Sequence, residues 1–301
     1  MTARRPRALV ASLVAVLAVV VGGCGGTAAG VPELSSLTSV AQSSAAAESA
    51  RFSVEASITI PGTSKPLAFS AEGGFDTPAK RSQLTVDLSS FAALLQTMGS
   101  SLGGTVTGDL GEASDWKLEL IQDGDTAYVR FPPLAAQLPD GKTWIKGDAN
   151  DLSNTDAGQL KQFGSLAGTD PRDVFGLLEA VSGSIESVGT EEIRGVETSH
   201  YRAAIDTSKV EQLVPEAKRQ SLGGLDQAAK QAGLSDLPLE IWIDADRRVR
   251  KLSIDLDAKQ PGTDTPVEAA LVVELYDYGA PVEPKLPPPD QVADAATLKP
   301  S

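Results

Sequence analysis

The chain has 301 residues, of which 40 are Asp or Glu and 26 are Lys or Arg, so its formal net charge is −14. Such an acidic protein repels the phosphates of DNA and RNA, and we therefore expect no nucleic-acid binding. Aromatic residues make up only 5% of the chain, which disfavours a carbohydrate-binding surface of stacked rings. The length suits one large domain or at most two small ones.

The N-terminal region has the composition of a bacterial secretion signal. Three arginines precede the apolar run Ala8–Val21, and the motif Val21-Gly22-Gly23-Cys24 follows it. This order predicts a signal peptide over residues 1–23 that ends in a lipobox, with Cys24 acylated and left as the new N-terminus. More than one acyl chain gives stable anchoring. We therefore expect Cys24 to be a lipid anchor that holds the protein on the extracytoplasmic face of the cell membrane.

Two alternatives for this region stay open. The apolar run could be a transmembrane helix, although its 14 residues fall short of the roughly 20 that span a bilayer. It could also belong to an ordinary cleaved signal, because Val21 and Gly22 depart from the commonest lipobox. Removal of residues 1–23 takes away three Arg and leaves 23 basic against 40 acidic side chains, a net charge of −17. Cys24 is the only cysteine, so its acylation leaves no thiol for a disulfide or a metal.

The rest of the chain divides by composition. Residues 24–33 are small and flexible and predict a tether. Residues 34–280 form the main domain, beginning with an Ala- and Ser-rich segment that is either more tether or a helix. Residues 281–301 form a Pro-rich tail, whose prolines cannot pair as a strand.

Alternation of apolar and polar residues predicts eleven strands in the main domain. The pair Asp123-Gly124 between two alternating runs indicates a hairpin, and the short links favour antiparallel pairing. The candidate strands lie at 52–60, 67–75, 84–88, 116–120, 127–131, around Trp144, and at 185–191, 198–205, 237–243, 252–256 and 267–275.

Helical spacing appears in three places between the strands. Apolar residues recur at this spacing over 91–98, after the N-cap pair Asp170-Pro171, and over 207–232, where Gly223-Gly224 breaks the pattern. The predicted fold class is therefore α+β, with one large antiparallel sheet that is apolar on one face and a few helices that cover it.

Motifs for catalysis or cofactor binding are missing from the sequence. His200 is the only histidine, and no nucleophile elbow, P-loop or dinucleotide fingerprint occurs. The acidic stretch Asp148–Asp156 lacks the glycine and the terminal glutamate of an EF-hand loop. We expect no catalytic residue, no metal and no cofactor. Because carboxylates are plentiful, a cell-envelope hydrolase is a third hypothesis, which would need a compact carboxylate cluster in a cleft.

The apolar face of the predicted sheet is the remaining candidate site. It is either an ordinary core closed by helices or an incompletely closed surface with a cavity for acyl chains. Strand parity selects the side chains that would line such a cavity: Phe52, Val54, Ile58, Phe69, Leu84, Val86, Leu118, Val129, Ile241, Ile254, Leu271 and Val273.

Two segments resemble strand motifs of the actinobacterial LppX/LprAFG lipoproteins. These are Gly195–Asp206, with the sequence GVETSHYRAAID, and Leu237–Asp246, with the sequence LPLEIWIDAD. The lipobox and the order of elements from Leu34 to Tyr278 also fit this family. One departure is Arg247, at a turn position where the family usually carries glycine.

The resemblance implies a half-barrel similar to the carrier LolA and the sensor RseB, with helices over the concave side of a curved sheet. Some members of the family hold long-chain lipids or lipoglycans. It therefore implies a non-catalytic carrier that binds a lipid or lipoglycan. An RseB-like sensory or protein-interaction lipoprotein without a lipid ligand is the alternative, with an unknown envelope protein as partner. The family offers no short ligand-binding motif, so no binding residue is transferred.

Overall fold

Within the residues that it describes, the computed structural model contains a single open sheet of twelve strands, in the order β12-β6-β5-β4-β3-β2-β1-β11-β10-β9-β8-β7. The strands are β1 Ser49–Ile58, β2 Leu67–Asp76, β3 Arg81–Asp87, β4 Lys117–Asp123, β5 Thr126–Arg130, β6 Trp144–Asp148, β7 Val181–Ile193, β8 Val196–Asp206, β9 Asp236–Asp244, β10 Val249–Lys259, β11 Pro266–Tyr276 and β12 Val292–Asp294.

The structure describes residues 34–59, 66–101, 112–135, 138–149, 171–213, 229, 232–259, 261–262 and 265–297. All of them belong to one compact unit, Val31–Ser301. The predicted signal peptide, Cys24, the tether, Gly223-Gly224 and most of the acidic stretch Asp148–Asp156 lie outside the described residues. Within these ranges, no helix combines the length and the apolar character needed to cross a membrane.

The predicted α+β half-barrel class is confirmed, and each of the eleven predicted strands is present. Neighbouring strands pair antiparallel through most of the sheet, as the short links in hairpins such as β4–β5 predicted. The sheet has one strand more than predicted and is mixed, because β12 pairs parallel with β6. This twelfth strand is only three residues long, which is too short for an alternating pattern to reveal it.

The segment between β11 and β12 carries the chain from the centre of the sheet to its edge. Val282 is buried and lies against Gly74, where an added Cβ would stand 3.1 Å from its Cγ2. The backbone N–H of Thr143 donates to the carbonyl of Gln291 over 3.0 Å and guides the chain into β12. The structure therefore places part of the Pro-rich tail, residues 281–301, on the sheet itself.

The helices pack on one face of the sheet, which we call the inner face. The longer ones are α1 Leu34–Ala45, α2 Ser89–Ser101, α4 Thr207–Leu213 and a 3₁₀ helix at Pro171–Ala180. The short helix α3 Pro132–Ala135 follows β5, and one-turn 3₁₀ helices lie at Ala113–Asp115, Pro139–Gly141, Pro289–Gln291 and Ala295–Thr297. The Ala- and Ser-rich segment thus forms a helix, and the helix predicted after Asp170-Pro171 is 3₁₀ in its described part. The predicted helix over 207–232 is described as α4 as far as Leu213.

Two hydrophobic cores form under these helices. In the α1 core, α1 and the 3₁₀ helix cover the inner face of β8 to β11, with Leu37, Phe175 and Ile241 almost fully buried. In the α2 core, α2 covers β3 to β5, with Ala92 and Leu118 buried. Burial of these side chains is the main force that holds the helices to the sheet.

A buried serine joins α1 to the sheet. The hydroxyl of Ser44 donates to the carbonyl of Val40 over 2.8 Å and accepts the backbone N–H of Val249, at the start of β10, over 2.9 Å. Both Ser44 and Val249 are 0% exposed. This N–H therefore depends on the serine, since water cannot replace the bond.

We expect Ser44→Ala to lower the free energy of unfolding by about 1–3 kcal/mol, because it leaves a buried N–H unpaired. Urea unfolding followed by tryptophan fluorescence measures the change. The matched control is Ser43→Ala on the exposed side of the same helix turn, which should change stability by less than about 0.5 kcal/mol. Equal effects of the two variants would contradict this role of Ser44.

Candidate functional site

The strand register arranges the inner face in rows that run across the strands. Paired residues share a face, and side chains alternate along each strand. The row with Phe52 contains Leu275 on β11, Gly73 on β2 and Leu84 on β3. Three further rows follow along β1, centred on Val54, Ala56 and Ile58. These rows connect the α1 core to the α2 core.

Seven apolar side chains at this junction are only half-buried, although buried residues of the two cores lie beside most of them. We call them the apolar strip: Val54, Ala56, Ile58, Leu67, Phe69, Ala71 and Leu271. They lie on β1, β2 and β11. Val54, Ile58 and Leu271 border the α1 core, and Phe69 and Ala71 border the α2 core. The strip is thus the seam between two closed cores.

The register places all twelve of the predicted lining residues on the inner face. Four of them, Val54, Ile58, Phe69 and Leu271, belong to the apolar strip. Phe52 and Leu84 lie in the row at one end of the strip. The other six are buried in the two cores: Val86, Leu118, Val129, Ile241, Ile254 and Val273.

Three members of the strip were missing from the predicted lining residues. Ala56 and Ala71 carry little hydropathy of their own, and Leu67 starts its strand. The signal that identifies them is their pairing, because Ala56 lies opposite Phe69, Ala71 opposite Val54, and Leu67 opposite Ile58. Strand parity finds the face, but only the register shows which strands stand side by side.

Gly73 permits an unusual contact at the end of the strip. A Cβ built on Gly73 would lie 2.7 Å from Cζ of Phe52 and 2.4 Å from the carbonyl oxygen of Gln83. The ring of Phe52 therefore extends over the neighbouring strand and occupies the space that a side chain at position 73 would need. Phe52 is 6% exposed, so this row is closed where the apolar strip is half-open.

The outer face of the sheet is polar and densely paired. Arg194 donates from Nε to Glu274 over 2.7 Å, and its guanidinium lies 4.0 Å from the ring centre of Tyr276. His200 stacks on Trp242 with ring centres 4.2 Å apart. His200 thus takes part in a packed surface ladder, on the polar face on which its strand pattern places it.

An open groove of about 440 Å³ lies on this outer face, over β1, β2, β3 and β11. Its lining residues are Glu55, Ala56, Ser57, Ala68, Phe69, Ser70, Asp87, Ser89, Ser90, Ala270 and Val272. Most of the strand residues among them face outward, but Ala56 and Phe69 belong by register to the inner face, so the groove reaches the edge of the apolar strip. Burial acts to raise the pKa of Asp87, but hydrogen bonds from Ser89 outweigh it and leave the pKa of this carboxyl below its ordinary value. Asp87 is therefore an anion at neutral pH.

Side chains for metal binding are not grouped in the described part of the chain. No cluster of three or more His, Cys, Asp or Glu side chains is found there with a geometry for a metal ion. Lys117 lies on the outer face opposite Asp87, and Lys146 is paired with Asp294 over 3.5 Å. These lysines point away from the apolar strip.

Comparison with known proteins gives one partial sequence match and several structural neighbours. No family model matches the chain. An uncharacterized protein of Streptomyces griseus is 26% identical over 145 residues, and the match spans about half of each protein, 47% of this chain and 47% of the relative.

The structural neighbours include proteins of the group that the sequence resembles. The lipoprotein LppX of Mycobacterium tuberculosis has a TM-score of 0.41 and 18% identity, over 83% of this chain and 96% of LppX. LprF of Mycobacterium bovis has a TM-score of 0.42 and 15% identity, over 85% and 96%. A LolA-superfamily protein of Nitrosomonas europaea has a TM-score of 0.25 and 10% identity, over 82% and 94%. Because these TM-scores and identities are low, the fold assignment rests on the strand order and helix positions of this chain.

We expect Gly73→Ala to lower the free energy of unfolding by about 1–3 kcal/mol, because the new methyl group meets a backbone oxygen and the Phe52 ring. Gly74→Ala is the matched control one residue away, on the opposite face. Its methyl group would stand 3.1 Å from a side-chain carbon of Val282 and 3.2 Å from the carbonyl oxygen of Ala50, and it should cost less. Urea unfolding of both variants measures the difference, and a larger loss for Gly74→Ala would contradict the close packing at Gly73.

Proposed function

We propose that this chain is a membrane-tethered, non-catalytic lipoprotein that binds the acyl chains of a lipid or lipoglycan on the apolar strip and carries or presents them in the cell envelope. The observation that supports this proposal most directly is the partial exposure of seven neighbouring apolar side chains on the inner face. Helices bury the same face on either side of them.

The dimensions of the strip suit acyl chains. Along β1 it extends over four residue steps, from Val54 to Ile58, or about 13 Å. Across the strands it extends from β2 to β11, two strand spacings or about 10 Å. Side chains on the strip are aliphatic or aromatic and offer no hydrogen bonds. A ligand that fits this surface is long and apolar, and there is width for more than one chain.

The hydrophobic effect supplies sufficient free energy for such binding. Each buried methylene contributes about 0.8 kcal/mol, so the roughly ten carbons that fit along the strip contribute about 8 kcal/mol before losses. Ordering of the ligand and loss of its free motion reduce this gain. A lipid with two chains doubles this gain, while the free-energy cost of association is incurred only once. The proposal therefore favours a ligand with several acyl chains over a single fatty acid.

The proposal predicts that residues 26–301, produced in a related host, carry a lipid. This form retains the whole compact unit Val31–Ser301. Native mass spectrometry should show a discrete adduct, and organic extraction of the sample should release a long-chain lipid. A matched pair of variants locates the ligand: Leu271→Gln on the inner face and Val272→Gln on the outer face.

Leu271→Gln should weaken rebinding of the extracted lipid by about tenfold or more, since it puts an amide into the strip. Val272→Gln should leave rebinding unchanged. A chain that stays free of lipid after incubation with host envelope lipids would overturn the proposal.

A second candidate function is contact with an envelope protein, as in the RseB-like alternative. The observation that favours it is the outer groove, whose mixed lining of carboxylates, serines and alanines suits a protein segment better than an acyl chain. The same variants separate the two functions. Loss of binding to an envelope protein in Val272→Gln but not in Leu271→Gln would support this second function, whereas loss of lipid binding in Leu271→Gln alone supports the first.

Membrane attachment through Cys24 is part of the proposal. Cys24→Ala should remove the acylation site, and the protein should leave the membrane fraction and lose incorporation of labelled palmitate. Fractionation and labelling of cells that express each form provide the measurement. Ser35→Ala, outside the lipobox, serves as the control and should stay attached and labelled. Membrane attachment of Cys24→Ala would show that the anchor assignment is wrong.

A further inference from the structure

The apolar strip has an end wall built from two residues on neighbouring strands. Phe52 lies directly opposite Gly73 in the register. The ring covers Gly73 so closely that a Cβ there would be 2.7 Å from its Cζ. On either side of this pair, Leu275 and Leu84 complete the row. The next row along the strands, with Ala50 and Phe75, is buried in the α1 core.

We propose that Phe52, seated on Gly73, is the residue that determines how far an acyl chain extends along the strip and so which chain lengths bind best. This inference rests on the proposed function. It concerns specificity rather than the presence of binding. With Phe52 replaced by alanine, only two small residues, at positions 52 and 73, lie between Leu275 and Leu84, and the strip continues toward Ala50.

The length limit follows from the strand geometry. A C–C bond is about 1.5 Å long, so an extended acyl chain advances about 1.3 Å per carbon. The 54–58 span of about 13 Å therefore accommodates about ten carbons in contact with the strip. Removal of the Phe52 ring adds two residue steps, or about 6.6 Å, which corresponds to about five more carbons.

A substitution that shortens the strip can be made in the next row, one row closer to its middle. Ala71 is half-buried and faces Val54 across β1 and β2. A phenylalanine at this position would occupy the row next to the end wall. Ala71→Phe should therefore shorten the contact length by the same two residue steps that Phe52→Ala adds. The two variants form a pair with opposite expected shifts.

The experiment measures the binding of lysophosphatidylcholines with single saturated chains of about 8 to about 18 carbons by calorimetry, each below its micelle concentration. Each carbon in contact with the strip should raise affinity by about fourfold. In the unmodified residues 26–301, the increase should stop near ten carbons. In Phe52→Ala the break should move about five carbons longer, to about fifteen. In Ala71→Phe the break should move to about five carbons, below the shortest chain tested, so affinity should not rise with chain length over the series.

Two further variants keep the test interpretable. Phe52→Leu is a smaller change and should lengthen the break by a few carbons even if Phe52→Ala does not fold. Phe131→Ala removes a buried ring from the α2 core, where Phe131 contacts Trp116, and should leave the break unchanged. Binding with the same break in every variant would overturn the role of Phe52 but keep the proposed function. Absence of binding for all chain lengths in the unmodified protein would overturn both.

Discussion

The whole structure depends on one constraint: an apolar sheet face has to be covered, and this sheet is wider than the helices that pack on it. The α1 core covers β8 to β11 and the α2 core covers β3 to β5. Between them, β1 and β2 present an apolar surface that is half-covered in the same register. A continuous sheet with two separate covers necessarily has a seam, and here the seam is the apolar strip.

Small residues decide where the seam closes. Gly73 has no side chain, and this lets Phe52 extend across β2 and join the two cores at one end. Two residues further along, Val54 and Ala71 are both too short to do the same, and the row stays half-open. The row with Phe52 is therefore closed by the size of one side chain and not by a change of polarity. This distinction matters for a binding surface, because depth and length are set by the same few positions.

The outer face has the opposite chemistry, and this separates the two sides of the molecule. Ion pairs such as Arg194 with Glu274, and the stack of His200 on Trp242, bind the strands together from outside. Exposed pairs of this kind contribute little to stability individually, but their charged groups keep the outer face hydrated. An apolar ligand therefore has one face of the sheet available to it. The outer groove, with Glu55 and Asp87 in its lining, suits a different kind of partner.

The sequence by itself determined the strands, their inward faces and the α+β class, because alternation of period two follows directly from the pleat of a strand. It did not reveal β12, whose three residues are too few for a pattern and whose partner β6 lies more than 140 positions away. Nor did it separate strip residues such as Ile58 from core residues such as Ile254. Both are apolar and face inward, and only the tertiary positions of α1 and α2 decide which is covered. The alternation of apolar and polar residues predicts which face of the sheet a side chain lies on. Its burial depends on which helices pack against that face.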